Sequence, residues 1–189
     1  HENQEEIDTI LEQTEKLDFL IQSLVKLSRM ESGIIAVHSE DTTIKQMLES
    51  IQQQFNVKVR EKNITLSLCD TDLHVRCDSK WTVEALGNIV DNAIKYTACG
   101  GNVQIKVEQY SFFVKIDIID DGIGIEKEEI PKIFGRFYRS LSVADQPGVG
   151  IGLFLAREII QAQKGYIKVT SKRGKGSTFS VFLPIAKKE

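Results

Sequence analysis

Nine of the thirteen glycines in this 189-residue chain fall after residue 120, whereas residues 2–32 contain neither glycine nor proline. That division constrains the fold more than any other feature. A stretch without helix breakers can form one long helix, while a glycine-rich half must be built around sharp turns and close backbone approaches. In the first part, apolar residues recur at Ile7, Ile10, Leu17, Ile21 and Leu24, with Thr14 at the one polar step of a heptad seam. Leu11, Leu20 and Leu27 widen the stripe, which suits a bundle of more than two helices better than a two-stranded zipper. An amphipathic helix lying on its own domain is the alternative. Gly33 ends the helix at a C-cap position.

Beyond residue 33 the pattern changes period. A short strand is expected over 34–38, and Asp41-Thr42-Thr43 is expected to cap a helix reaching about residue 62. Segments 64–68 and 73–77 read as a hairpin, and Asp78-Ser79 opens a helix to about residue 96. Strands follow over 103–108 and 112–119, then a long irregular segment over 120–147 and a helix over 149–163. Strands over 166–171 and 177–183 close the chain. Helices and mostly antiparallel strands in separate runs predict an α+β class, a two-layer α/β sandwich preceded by a long coiled-coil-like helix.

Composition excludes several functions. The chain is 41% hydrophobic with three prolines, which is enough for a buried core. Twenty-four Lys and Arg against twenty-seven Asp and Glu leave a net charge of −3 with no basic block, which argues against nucleic acid as a partner. Cys69, Cys77 and Cys99 are odd in number and lack CxxC spacing, so neither a disulfide framework nor a zinc site is expected and a cytoplasmic setting is read. No run of eighteen apolar residues occurs, so any membrane anchor is expected outside this chain.

Three constellations carry chemistry. On the helix over 81–96, Val83, Leu86, Val90, Ala93 and Ile94 form one face, and Glu84, Asn88, Asn92 and Lys95 the opposite one. Two amide oxygens one turn apart and an ammonium can hold a hard cation and the phosphates around it, although a plain solvated face has the same look. Next, an apolar strand runs into Asp120-Asp121-Gly122-Ile123-Gly124-Ile125. A carboxylate at that strand end can accept from an exocyclic amine while the glycines admit a flat base; an ordinary Asp-Gly turn is the alternative. Lastly, Gly148-Val149-Gly150-Ile151-Gly152-Leu153 leads into a helix whose amides suit anionic oxygens. No Gly-Lys-Ser/Thr follows, and the GxGxG spacing with no strand before it does not fit the dinucleotide fingerprint. Residues 133–139, Ile-Phe-Gly-Arg-Phe-Tyr-Arg, read as a lid that Phe134 and Phe137 can dock.

Taken in order, Asn88, Asn92, Lys95-Tyr96, DDGIGI at 120–125, IFGRFYR at 133–139, GVGIGL at 148–153 and GKGSTF at 174–179 resemble the N, G1, F, G2 and terminal boxes of two-component sensor histidine kinases. The resemblance implies the Bergerat-type ATP-binding fold and, as cofactors, ATP and Mg²⁺. It implies that Asp120 reads the adenine amino group with Thr178 in support, and that Asn92 and Asn88 hold Mg²⁺. Lys95 and Arg139 would meet the phosphates, with Tyr96 beside the nucleotide. Gly122, Gly124, Gly148, Gly150 and Gly152 would shape the pocket and lid ends, with Ile125, Phe134, Val149, Ile151 and Leu153 completing the ATP-binding set. Asn88, Lys95 and Arg139 form the implied catalytic set. Asn88 stands where ATP-hydrolysing relatives carry a glutamate, which favours transfer to a protein nucleophile over hydrolysis.

Residues 15–33 resemble the second helix of a dimerisation and histidine-phosphotransfer domain. The implied division is therefore 1–33 for that truncated domain and 34–189 for the ATP domain. His1 lacks the Thr-Pro that accompanies a phosphoacceptor, and His38 and His74 lie in strand-like context, so no acceptor is expected in this chain. The implied partners are a response-regulator receiver domain and, in the full-length protein, a second copy of itself. A catalytically silent nucleotide-binding module on the same fold is the alternative.

Overall fold

The computed structural model describes residues 2–31, 37–140, 143, 146 and 148–186. Its elements run α1 (Glu2–Glu31), β1 (Glu40–Thr43), α2 (Ile44–Glu61), β2 (Thr65–Leu68), β3 (His74–Cys77), α3 (Ser79–Tyr96), β4 (Asn102–Gln109), β5 (Phe113–Asp120), α4 (Gly152–Ala162), β6 (Tyr166–Ser171) and β7 (Ser177–Pro184).

The breaker-free start forms α1, and its apolar seam faces solvent, with Ile7, Ile10, Leu11, Leu17 and Ile21 all exposed. Toward its end, Leu20 packs at the edge of the core and Lys26 pairs with Glu84 at 2.8 Å. The strand expected over 34–38 falls mostly outside the described residues, and Val37 and His38 within them form no strand.

The next segment departs from the expectation. Asp41-Thr42-Thr43 is part of β1, antiparallel to β3 with Thr42 opposite Val75. Thr43 occupies the N-cap position of α2 without a capping bond from its side chain, and the Ile44 amide instead donates to the Leu73 carbonyl at 3.0 Å. Two β-branched threonines favour extended pairing, and the crossing chain satisfies one of the first-turn donors that the helix itself leaves open. Nor is there a hairpin over 64–77: β2 runs parallel to β4, while β3 turns to β1 and buries Val75 and Cys77 completely. The Cys77 sulfur rests 3.9 Å from that of Met47 on α2.

From α3 onward the elements lie close to the expected places. Asp78 caps α3, its carboxylate accepting from the Trp81 amide at 3.2 Å. Five strands form one sheet in the order β2-β4-β5-β7-β6, antiparallel except for β2 and β4. Alternate residues of its inner face, Val103, Ile105, Val114, Ile116, Ile118, Phe179, Val181 and Leu183, are buried against Leu86, Ile89 and Val90 of α3 and Leu155 and Ile159 of α4. Each such side chain contributes about 1.5–3 kcal/mol. Helix α4 starts at Gly152 rather than at 149 because Gly148 and Gly150 have φ of 143° and 78°, outside the helical region. Gln163, buried just past α4, fixes the start of α3. Its Oε1 accepts from the Asp78 amide at 2.6 Å and the Thr82 hydroxyl at 3.3 Å, and its Nε2 donates to the Ile159 carbonyl. Among the described residues no helix is long and apolar enough to cross a membrane.

Candidate functional site

Where β5 and β7 meet the C-terminal half of α3 there is a cavity of about 760 Å³. It is the meeting point of the three constellations. Asn88, Asn92, Lys95 and Tyr96 enter from α3, Asp120 from the end of β5, and Gly124 and Ile125 from the loop after it. Arg139 and the run Gly148, Val149, Gly150, Ile151, Gly152 and Leu153 complete the wall.

Asp120 is 7% exposed. Its Oδ1 accepts two backbone amides, Gly122 at 3.0 Å and Ser177 at 3.2 Å; no bond from a described residue reaches Oδ2. Burial pushes its carboxyl above the usual carboxylate range, against the downward pull of the two amides, and the neighbouring Asp121 charge adds to the upward push. Gly122 thus acts through its N–H and does not itself line the cavity. Gly124 is required by its surroundings: φ is 65°, and a Cβ there would lie 2.1 Å from the Lys172 carbonyl oxygen. This close approach lets the loop dock on the β6–β7 turn, where the Gly174 amide donates to the Ile123 carbonyl at 2.7 Å.

Thr178 is a correction. It pairs with Ile119 and stands on the opposite face of the sheet from Asp120. Ser177 is the residue directly across from Asp120 and supplies the amide. The alternation of Phe179, Val181 and Leu183 already placed position 177 on the inner face. Phe134 also lies outside the cavity wall. It packs against the edge of the core, with the Arg157 guanidinium 5.6 Å from its ring centre, and the neighbouring Ile133 reaches the cavity instead.

The opposite end of the cavity is cationic. The Lys95 ammonium sits 4.9 Å over the Tyr96 ring and beside Gly148, where a Cβ would lie 2.8 Å from Nζ. Burial lowers the Lys95 pKa, and the Arg139 guanidinium lowers it further. Burial also raises the Tyr96 phenol. Arg139 donates to the carbonyls of Val143, at 2.9 Å, and Gln146. Beside it Tyr138 hydrogen-bonds Glu129 at 3.2 Å, and Phe137 holds a left-handed φ of 59° with 54% of its surface exposed. Asn88 donates through Nδ2 to the Glu84 carbonyl at 3.1 Å, which turns its Oδ1 toward Gly152.

Two lysines, Lys58 on α2 and Lys62 just past its end, were not anticipated from the sequence. Lys62 donates to the carbonyls of Ile94 at 2.8 Å and Lys95 at 2.6 Å, fixing the last turn of α3 beneath Lys95, and Lys58 lines the cavity. Their four-residue spacing was the available signal. No group of three His, Cys, Asp or Glu able to hold a metal occurs among the described residues, so a cation here would take the amide oxygens of Asn88 and Asn92 together with oxygens of an anionic ligand. The arrangement can hold a flat base bearing an amine at the Asp120 end and a polyphosphate at the Lys95 end.

Residues 77–187 match the family model of histidine kinase-, DNA gyrase B-, and HSP90-like ATPases. The sensor histidine kinase WalK of Bacillus subtilis (strain 168) is 34% identical over 177 residues, covering 91% of this chain and 29% of WalK. The chain therefore spans less than a third of that relative. The Acinetobacter baumannii histidine kinase AdeS has a similar structure, with a TM-score of 0.76 and 26% identity over 96% of this chain and 84% of AdeS. Full-length ShkA in complex with AMPPNP shares the fold, with a TM-score of 0.84 and 20% identity over 100% of this chain and 40% of ShkA. The α/β sandwich expected from the sequence is thus of the Bergerat type. The chain belongs to the histidine kinase-, DNA gyrase B- and HSP90-like ATPase family.

Proposed function

We propose that this chain is the ATP-binding kinase core of a sensor histidine kinase. It passes the γ-phosphoryl group of ATP to a histidine outside this chain, for relay to an aspartate of a response-regulator receiver domain. The observation that carries the reading is Asp120, buried, held at Oδ1 by two amides and open at Oδ2, in the same cavity as Lys95 and Arg139. The AMPPNP complex of ShkA, which shares the fold, supports it.

In this reading Asp120 Oδ2 accepts from the adenine amine, and the Gly124–Ile125 backbone lies along the base. Lys95 meets the phosphates with little rearrangement, whereas Arg139 exchanges its two loop carbonyls for phosphate oxygens. Asn88 and Asn92 would hold Mg²⁺ together with the phosphates, and the ion would supply neutralisation of charge on the transferred group. Asn88 cannot serve as a base near neutral pH, so water is not activated. The lone pair of an acceptor imidazole nitrogen forms the N–P bond as the bond from phosphorus to the β,γ-bridging oxygen breaks and ADP leaves. Helix α1 is the second helix of the dimerisation and phosphotransfer domain, and its exposed seam is the surface that pairs with further helices of that domain and of a second copy in the full-length protein.

The test is calorimetry with ATP-Mg²⁺, followed by incubation with γ-labelled ATP and the parent's own acceptor helix. Expected are saturable binding, negligible phosphate release by the chain alone, and acid-labile label on the added histidine. Absence of binding, or steady phosphate release without transfer, would refute the reading.

A further inference from the structure

Helices α2 and α3 face each other with more cationic charge than the mechanism above uses. Lys62 is occupied by the last carbonyls of α3. Lys58, one turn earlier, reaches the cavity wall, its ammonium 2.6 Å from Asp91 Oδ1 and 5.8 Å from the centre of the Phe55 ring. On α3, Asp91 stands between Asn88 and Asn92 and one turn before Lys95.

The position of this pair along the nucleotide site can be worked out from α3. The Tyr96 backbone borders the adenine end, because its carbonyl accepts the Ile123 amide just after Asp120, whereas the Tyr96 ring and the Lys95 ammonium over it mark the start of the cationic end. Asn88 is two turns back along the helix, about 12 Å away. Asp91 and Lys58 therefore lie toward the end of the cavity that the terminal phosphate would occupy. Lys58, Asn88 and Asp91 also line a second cavity of about 810 Å³ between α2 and α3, so the lysine has room to move on either side. Much of the pair is in solvent, with 59% of the Lys58 side chain and 42% of that of Asp91 exposed. An exposed pair of this kind holds its lysine weakly, and a phosphate with two ionised oxygens competes well for the ammonium.

Resting on the reading of this cavity as an ATP site, we propose that Lys58 is a third phosphate-binding cation, held by Asp91 in the nucleotide-free protein and given over to the γ-phosphate when ATP enters. Lys58 thereby sets the preference for the triphosphate over the diphosphate. ADP lacks the group at that end and leaves the Lys58–Asp91 pair in place.

Calorimetric titration of ATP-Mg²⁺ and ADP-Mg²⁺ into wild type, Lys58→Met and Asp91→Asn tests this. In Lys58→Met the Kd for ATP is expected to rise about tenfold, as for loss of one partly exposed charged hydrogen bond, while the Kd for ADP changes less than about twofold. Asp91→Asn, which releases the lysine, is expected to bind ATP at least as tightly as wild type, and Lys58→Arg to keep the wild-type preference. Lys58→Gln gives the same readout should the methionine variant fail to fold. Equal effects on the two nucleotides, or no effect on either, overturn the proposal and leave the nucleotide site standing. Failure of the wild-type chain to bind ATP overturns both.

Discussion

Replacing Asp120 by asparagine separates nucleotide recognition from folding. The substitution conserves shape and removes the charge. Both backbone amides, Gly122 and Ser177, donate to Oδ1, so the asparagine carbonyl must take that place and its NH₂ must take the place of Oδ2. A donor then faces the adenine amine, itself a donor. The loss is one hydrogen bond to a charged acceptor plus one donor left unsatisfied on binding, together about 3–4 kcal/mol, or about 10²–10³-fold in Kd. The nucleotide-free fold responds differently. A carboxyl whose folded pKa is raised by burial disfavours folding when ionised, and the protein gains stability as pH falls through that folded pKa toward the unfolded value. The neutral amide removes this cost at pH 7, so the melting temperature of the variant without nucleotide is expected to be no lower than that of wild type, and the acid-side gain to disappear. Calorimetry with ATP-Mg²⁺ and thermal melts from mildly acidic to neutral pH check both parts. A variant that binds ATP within about threefold of wild type, or that melts clearly lower without nucleotide, would show that the carboxylate is not held as described.

The loop after Asp120 and the clamp between α3 and α4 yield two further expectations. Gly124→Ala adds left-handed strain to an overlap with the Lys172 carbonyl, and is expected to cost about 3 kcal/mol or more in urea unfolding. Gly174→Ala, with φ of 73° but open space around it, is expected to cost only about 1–2 kcal/mol, and equal losses at the two sites would contradict the close approach. Gln163→Leu strips the Asp78 amide and the Thr82 hydroxyl of their buried acceptor and is expected to cost about 2–4 kcal/mol; a loss below about 1 kcal/mol would mean that water replaces the amide.

How far the sequence could be read depended on whether chemistry or pairing decided the outcome. Asp120, the GxGxG run and the Asn88–Asn92–Lys95 face were legible because each requires particular residue types at fixed offsets, and the fold brings them to one cavity. The 64–77 region was not. Two short apolar runs with a polar link look alike whether they pair with each other or, as here, with β4 and β1, and the deciding partners lie far away in sequence. Thr178 was misplaced by one residue, and in a strand one residue is the difference between the two faces of the sheet. Lys58 and Lys62 carried only a weak helical spacing, because their importance comes from the packing of α2 on α3, which no local pattern specifies.

Phe137 has a consequence for how the segment around Arg139 moves. A bulky residue in the left-handed region costs about 1–3 kcal/mol, and with half its surface in water this one recovers little of that cost through packing. The segment is therefore preloaded like a drawn latch. A rearrangement that returned Phe137 to ordinary backbone angles would give back part of the energy needed to detach Arg139, two residues on, from its carbonyls, so the strain at one residue and the release of the other are coupled.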